Sequence, residues 1–514
     1  MTDDDPTTRP TRRTVLEAFG TGVVGTVAFS GSAAALGDGF VGDALEGIVT
    51  VGDTLVDDDL DLGSDVLQEV LIVFESTADL VRLEALDVEV AIGFDVLPIG
   101  YAELPGSLIE TVAGWDAVRY VSSNYDLEYH NDGAREGANA DAVQAGEGLE
   151  TAYSGENVHV ALIDSGIDGS HPDLQANVVA NYQYVGVPVV QDAPLWWQDV
   201  GGGDTDANGH GTHCAGSVGG TGDRSDGEYA GMAPNADLTM YATGLGLSIV
   251  FIVAAYDDLL RRQREGEHDI QVVSNSYGPA QDDRSFVPDD PINVATWRAH
   301  EAGLLPVFSA GNDGPEAGTL NQYATAPHVL GVAATDDEGA VADFSSRGRP
   351  QDGSYDADNY DRRAAYENLT AFHDGTPQDE IDGPLGVYRN GVAAKGEDVM
   401  STLGPLDVLN VTAPDESLYY GPMSGTSMSC PVTAGCAALV YDAAIERRAD
   451  DDVPSPMDVL VTLEATADER RLESYTAESV GAGYVDVHAA VERAEAGDLA
   501  TFDEIEIAPS SDEQ

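Results

Sequence analysis

Gly421-Pro-Met-Ser-Gly-Thr-Ser-Met-Ser-Cys-Pro431 places one hydroxyl, that of Ser427, between a turn rich in Gly and Ser and an apolar run that opens at Pro431. Proline is tolerated in the first turn of a helix, so the spacing predicts that Ser427 stands at a helix N-terminus. Free N–H groups and the positive end of the helix dipole can stabilise an oxyanion as it develops there. Ser and Thr are also ordinary helix caps, so this stretch gains meaning only from others. Asn208-Gly-His210-Gly-Thr-His213-Cys-Ala-Gly216 sets a histidine between glycines at the start of a small-residue helix, where a substrate backbone can come close. His210 and His213 have a spacing that can share a metal, but no Glu follows as in H-E-x-x-H, and zinc is set aside. Asp164-Ser-Gly-Ile-Asp168 closes the apolar run Asn157 to Ile163, which reads as a buried parallel strand. Acids at the carboxyl tip of such a strand are where α/β folds keep functional groups, although Asp-Ser-Gly alone is common turn chemistry.

Those tips need a shared sheet. Gln271 to Ser276 and Leu304 to Ser309 read as further buried strands, ending in Asn275-Ser-Tyr-Gly278 and Ala310-Gly-Asn312-Asp313-Gly314. Ile249 to Arg264 and Pro291 to Ala302 repeat apolar residues at helical period. Strand and helix alternate, which predicts an α/β fold with a mostly parallel sheet and helices on both faces. Upstream, Leu67 to Phe74, Thr77 to Leu86, Val88 to Ala102, Leu108 to Ala113 and Val118 to Tyr129 read in the order βαββαβ. That is a small α+β, ferredoxin-like module over 64–130, an order that a regulatory ligand-binding domain shares.

Lys+Arg 23 against Asp+Glu 92 gives a net charge of −69, and Lys395 is the lone lysine. Such a surface repels nucleic acid and anionic lipid, so no nucleic-acid partner is expected. The acids are spread through segments with good apolar periodicity and 42% hydrophobic content, unlike a disordered acidic chain. The balance resembles the acidic surfaces of proteins from extreme halophiles. Cys214, Cys430 and Cys436 offer neither a disulfide framework nor a C-x-x-C metal spacing and read as small buried residues. Within 1–35, Thr11-Arg12-Arg13-Thr14-Val15-Leu16, a modest apolar stretch and Ala33-Ala34-Ala35 resemble a twin-arginine export signal. The apolar run is short and Gly-diluted for a bilayer span of about 20 residues, so the expectation is a secreted, extracellular protein with no stable membrane anchor. Residues 36–63 read as a linker and 498–514 as an acidic tail without fold; 349–390 reads as an insertion: a calcium site, a substrate-facing flap or, the favoured reading, a solvated excursion.

Asp164 in A-L-I-D-S-G-I-D, His210 in N-G-H-G-T-H-C-A-G and Ser427 in S-G-T-S-M-S-C-P resemble, in chain order, the three active-site signatures of the subtilisin-like serine proteases. The order Asp, His, Ser is that family's own, and this chain matches it. The export signal and the acidity make the chain similar to halolysins, the secreted proteases of extreme halophiles. The resemblance implies a serine endopeptidase adapted to high salt that works through an acyl-enzyme, with Ser427 as nucleophile, His210 as base and Asp164 orienting the imidazole. It also implies an oxyanion role for Asn312 in S-A-G-N-D. Ser276, Tyr277 and Gly278, with Ser309, Ala310 and Gly311, would bind an extended peptide. The 64–130 module would be an inhibitory propeptide acting on a protease domain at 131–497. No cofactor is required for such chemistry. The loop Gly219 to Tyr229 departs from the family's calcium loop, so Asp173 is not assigned as a ligand and structural calcium has no assignable site. The implied partners are protein or peptide substrates and the chain's own propeptide, with the enzyme a monomer. An inactive scaffold and an ester hydrolase are the alternatives, told apart by turnover of peptides and of esters.

Overall fold

The computed structural model describes residues 48–507 apart from short segments, the longest being 130–135, 186–195, 280–284, 351–359, 410–418 and 448–452. The expected export signal lies outside the described residues, which all belong to one compact unit, Leu45–Gln514.

The predicted parallel sheet is present. Strands β8 (His159–Asp164), β9 (Val178–Val185), β10 (Trp196–Asp199), β11 (Asp237–Ala242), β12 (Val272–Asn275), β14 (Leu305–Ser309), β15 (Leu330–Thr335) and β16 (Val392–Lys395) line up as β10-β9-β11-β8-β12-β14-β15-β16. Every neighbouring pair is parallel except β10 with β9. A sheet covered on both faces explains the unbroken apolar runs, because alternate residues must enter two different cores. Val160 and Leu162 pack with Val272, Val307, Val332 and the helix residues Val432, Leu439 and Val440. Ala161 and Ile163 instead join Val273, Phe308, Ile252, Val253, Ala295 and Ala299 on the other side.

The principal helices are α1 (Gly106–Ala113), α2 (His210–Gly219), α3 (Ile249–Glu265), α4 (Pro291–Glu301), α5 (Arg362–His373), α6 (Thr426–Arg447), α7 (Pro456–Thr466) and α8 (Val487–Ala496). Helix α6 is the one described helix long and apolar enough to cross a membrane, yet 94% of its apolar window is buried inside the protein. It is a core helix. It begins at Thr426 and carries Pro431 in its interior, not in its first turn as the sequence suggested.

Ahead of the large sheet, β1 (Ile48–Val51), β2 (Thr54–Asp57), β3 (Gln68–Phe74), β4 (Ala91–Gly93), β5 (Ile99–Leu104) and β6 (Val118–Ser123) form a second sheet in the order β1-β2-β6-β3-β5-β4. Its alternation separates two faces. Val70, Ile72 and Phe74 pack on α1 residues Ile109 and Val112, while Leu71 and Val73 meet the large domain through Val250, Val253, Ile292 and Trp297. The segment after β3 is a 3₁₀ helix, Thr77–Ala85. A short strand β7 (Leu127–Tyr129) then leaves this sheet and pairs antiparallel with β13 (Tyr277–Pro279). The remaining pair is β17 (Val399–Thr402) with β18 (Tyr420–Met423).

Three expectations need correction. Within 36–63, read as a linker, the hairpin β1–β2 extends the N-terminal sheet, with Val56 and Asp57 fully buried. β-Branched alternation in Ile48-Val-Thr-Val51 was hidden among Asp and Gly. The insertion 349–390 is not a solvated excursion: α5 is capped by Asp361 and rooted by buried Arg362. Finally, the tail is folded up to residue 507. The Ala500 N–H donates to Thr462 Oγ1 at 2.9 Å, and Thr501 with Glu504 closes a capping box.

Candidate active site

Asp164, at the carboxyl tip of β8, is turned toward α2. Its Oδ1 accepts from the Ser165 N–H at 2.7 Å and is 2.5 Å from His210 Nδ1. Both side chains are essentially buried. The pair sits under a tight crossing: a Cβ on Gly211 would lie 2.1 Å from the Gly166 carbonyl oxygen and 3.0 Å from Asp164 Oδ1, so only glycine fits. Gly209, at φ 104°, makes the turn that starts α2 at His210. Cys214, one turn further along, holds its sulfur 3.6 Å from His210 Nδ1 and 3.9 Å from the Ser427 carbonyl oxygen, which brings α2 and α6 together at this point. Burial, then the Asp164 charge, push the Cys214 thiol well up, so it stays a neutral packing group. All three cysteines are free and buried.

Ser427 lies in the first turn of α6 and is fully buried. Because Pro431 has no N–H, the helix cannot satisfy the Ser427 carbonyl four residues back. Ser276 does so: its Oγ donates to that carbonyl at 2.6 Å, and Ser427 Oγ donates in return to the Ser276 carbonyl at 3.0 Å. The helix start is tied a second way. Asn312 Oδ1 accepts from the Thr426 N–H at 2.9 Å and from Thr426 Oγ1 at 3.0 Å, and the Gly311 N–H donates to Thr426 Oγ1 at 3.1 Å. With its carbonyl so occupied, Asn312 has its amide N–H₂ as a donor beside the free N–H groups of the α6 terminus.

Ser276, Tyr277 and Gly278 follow β12, and Ser309, Ala310 and Gly311 follow or close β14, the neighbouring strand. Asn321 Nδ2 joins the two segments by donating to the carbonyls of Tyr277 and Ser309, each at 3.0 Å. Tyr277 to Pro279 already carry an added strand, β7 of the same chain, with Gly278 opposite Glu128. His213 lies apart from this chemistry, with Nε2 3.1 Å from the Gly421 carbonyl oxygen. Asp173 has Oδ1 taken by the Arg224 N–H at 3.0 Å and Oδ2 by the Tyr420 hydroxyl, and the Arg224 guanidinium lies over the Tyr419 ring. A carboxylate filled by protein donors beside a guanidinium does not fit a calcium ligand. The one described group of acid, His and Cys side chains close enough to share an ion is Asp164, His210 and Cys214, the pair already described with its packing thiol.

Residues 155–483 match the subtilase family, Peptidase S8. This chain is a subtilase. It is 28% identical over 351 residues to the serine protease AprX of Bacillus subtilis (strain 168), covering 65% of this chain and 68% of that one. It is 26% identical over 368 residues to an alkaline protease of Alkalihalobacillus alcalophilus, covering 71% and 75%. Among solved structures, fervidolysin from Fervidobacterium pennivorans, described as a keratinolytic enzyme related to subtilisin, aligns with a TM-score of 0.58 at 22% identity. That alignment covers 87% of this chain and 64% of fervidolysin, and it shows the fold alone. The subtilase is thereby a serine endopeptidase by family, and subtilases need no cofactor for catalysis.

Besides Asn321, sequence reasoning missed two acids beside the candidate site. Asp206 is buried and collects Ser165 Oγ, the N–H groups of Asn208 and Gly209, and both the N–H and Oγ1 of Thr212, at 2.8 to 3.1 Å, fixing the loop before His210. Asp407 packs against Gly209. Burial first, then the charges of Asp206, Asp204 and Asp168, push its carboxyl up to about 7 against the pull of the Gly404 N–H. Neither shows in a pattern, since their partners lie at irregular or distant positions.

Proposed function

We propose that this subtilase hydrolyses peptide bonds with Ser427 as nucleophile, His210 as general base and Asp164 as the group that fixes the imidazole. The observation that carries the reading is the buried 2.5 Å contact from His210 Nδ1 to Asp164, made beside the helix start that holds Ser427. A carboxylate on Nδ1 selects the tautomer whose Nε2 accepts a proton and stabilises the imidazolium that forms. The serine oxygen attacks the scissile carbonyl as its proton passes to His210. The negative charge then collects on the former carbonyl oxygen, between the Asn312 amide and an N–H at Ser427. The imidazolium returns the proton to the leaving amine, and water repeats the sequence on the acyl-enzyme. The peptide itself would pair with Ser276 to Gly278 and run past Ser309 to Gly311, as an added strand.

The N-terminal domain is read as an inhibitory propeptide. Support comes from β7, which takes the place such a peptide strand would take on Tyr277 to Pro279. Asp257 on α3 also receives the N–H groups of Asp95, Val96 and Leu97. Twin-arginine export, secretion and adaptation to high salt complete the proposal. They rest on residues 11–16 and on the −69 charge, since relatives include an intracellular serine protease of Bacillus subtilis (strain 168). The test is Ser427→Ala in the full chain, assayed in molar salt. Peptide cleavage should fall to background, and the protein should accumulate with its N-terminal domain uncut. Turnover like wild type by the purified variant would overturn the assignment.

A further inference from the structure

Strand β6 pairs Tyr120 with Val73 but Val118 with Phe74, so Arg119 is the extra residue of a β-bulge. A bulge re-aims the side chain it carries. Here it places Arg119 on the face that meets the large domain, beside Tyr120, instead of on the face that Val118 and Val121 bury against α1. The guanidinium Nη2 donates to Asp289 Oδ1, just ahead of α4, and the guanidinium carbon lies 5.9 Å from the centre of the Phe372 ring on α5. Asp289 is 7% exposed. The next residue of α5, His373, stacks on Trp297 of α4 with ring centres 4.4 Å apart and planes 14° apart. Helix α5 is held at its other end by Arg362 and in its middle by the Tyr366 hydroxyl, 3.0 Å from His300 Nε2. Its last turn is therefore presented to the N-terminal domain from a fixed base.

We propose that α5 is a recognition surface for this chain's own N-terminal domain, and that Arg119 is the residue through which it recognises that domain. This inference rests on the reading of that domain as an inhibitory propeptide. Docking on α3 and α4 combines apolar packing with main-chain N–H groups of residues 95–97 given to Asp257 and the Val250 N–H given to Asn124 Oδ1, contacts that backbone or one small amide supplies. A bulged arginine between a carboxylate and a ring is selective, because a domain lacking it leaves Asp289 covered and unpaired. It also suits a chain of net charge −69 in salt, since a covered charge pair is screened far less than exposed ones.

The test uses the full, active chain in molar NaCl with Arg119→Lys, Arg119→Ala, Phe372→Ala and the double variant Arg119→Ala/Phe372→Ala. After processing, two quantities are followed: co-elution of the released N-terminal segment with the enzyme, and the lag before peptidase activity appears. Arg119→Ala should shorten the lag and weaken co-elution by about tenfold, and Arg119→Lys by less, since an ammonium keeps the charge but not the planar stack. Processed enzyme from either Arg119 variant has the wild-type sequence, so the change comes from the released N-terminal segment, whose own fold is checked by circular dichroism. If Arg119→Ala does not fold, Arg119→Lys supplies the reading. The double variant should do little more than the stronger single one. An unchanged lag in both Arg119 variants, or fully additive effects of Arg119→Ala and Phe372→Ala, would overturn the proposal. Full activity of the wild-type enzyme with its N-terminal segment still bound would instead overturn the propeptide reading beneath it.

Discussion

Ser427 is constrained by a residue four positions away that does no chemistry. Pro431 withholds the N–H that a helix would supply, and Ser276 replaces it from the residue between β12 and β13. Ser276→Ala should therefore leave a buried carbonyl with only the weak, distant Cys214 thiol as donor, lowering stability by about 1–3 kcal/mol, measurable by denaturant unfolding in an inactive Ser427→Ala background. Asn312→Ala should cost about 10²–10³ in kcat with little change in KM, the range already established for removing the oxyanion asparagine of subtilisin itself. Asp407 gives a pH signature. Its folded value, about 7, lies above the ordinary 3.8, so the folded chain keeps a proton that the unfolded chain has released. Stability from this group falls as pH rises through that window and is flat above it. Asp407→Asn should flatten that part of the thermal-midpoint profile; a slope equal to that of the parent would remove Asp407 from the account. At this scale the sequence exposed side chains set among glycines, such as His210, because a local pattern marks them. Asp206 and Asn321 act by bonds to backbone at irregular distances, and no local pattern marks those.

Helix α5 shows why an element can be illegible. Its short apolar stripe of Ala365, Tyr366, Leu369 and Phe372 lies within a Tyr- and Asp-rich stretch, and its anchor is a charge: Arg362 donates to both Glu464 oxygens at 2.7 and 2.9 Å and to the carbonyls of Pro327 and Val329, while Arg389 bonds the same carboxylate. Such an anchor is invisible to periodicity, which found α3, α4 and the parallel strands because apolar burial forms those. Burial pushes the Glu464 carboxyl up, but the two guanidinium groups outweigh it and hold it below the usual range. Glu464→Ala would leave two buried cations uncompensated and should cost about 3–5 kcal/mol, with loss of α5 order visible as faster amide exchange over 362–373. The contact between α4 and α5 sets an acid limit. Burial holds His300 down to about 4, and burial with Arg119 and Arg298 holds His373 down to about 3. Their folded values lie below the ordinary 6.5, so the stability they contribute is present above that pH and lost as pH falls toward 4. His373→Gln should reduce the loss of thermal midpoint between about pH 6.5 and 4. An unchanged profile would assign the acid limit elsewhere.

Across the whole molecule, carboxylates outnumber basic side chains 92 to 23, so most of them have no cation to pair with. The interior meets this shortage with backbone: Asp206, Asp257 and Asp442 each accept main-chain N–H groups. Those short contacts are shielded from bulk ions and should hold at any salt concentration. At the surface the excess acids repel one another through solvent. At about 0.01 M salt the Debye length is roughly 30 Å, so repulsion acts across much of the molecule and disfavours the compact state; at about 1 M it is roughly 3 Å and only nearest neighbours interact. Activity and thermal midpoint should therefore rise from dilute buffer to molar NaCl, and dialysis should bring inactivation and autolysis. Screening alone saturates well before several molar, so a continued rise there would point to ion binding or to exclusion of salt from the surface. Running the series in the Ser427→Ala background separates unfolding from self-digestion. Full activity and an unchanged midpoint in dilute buffer would show that the acidic surface places no load on the fold, and the high-salt adaptation would fall with it.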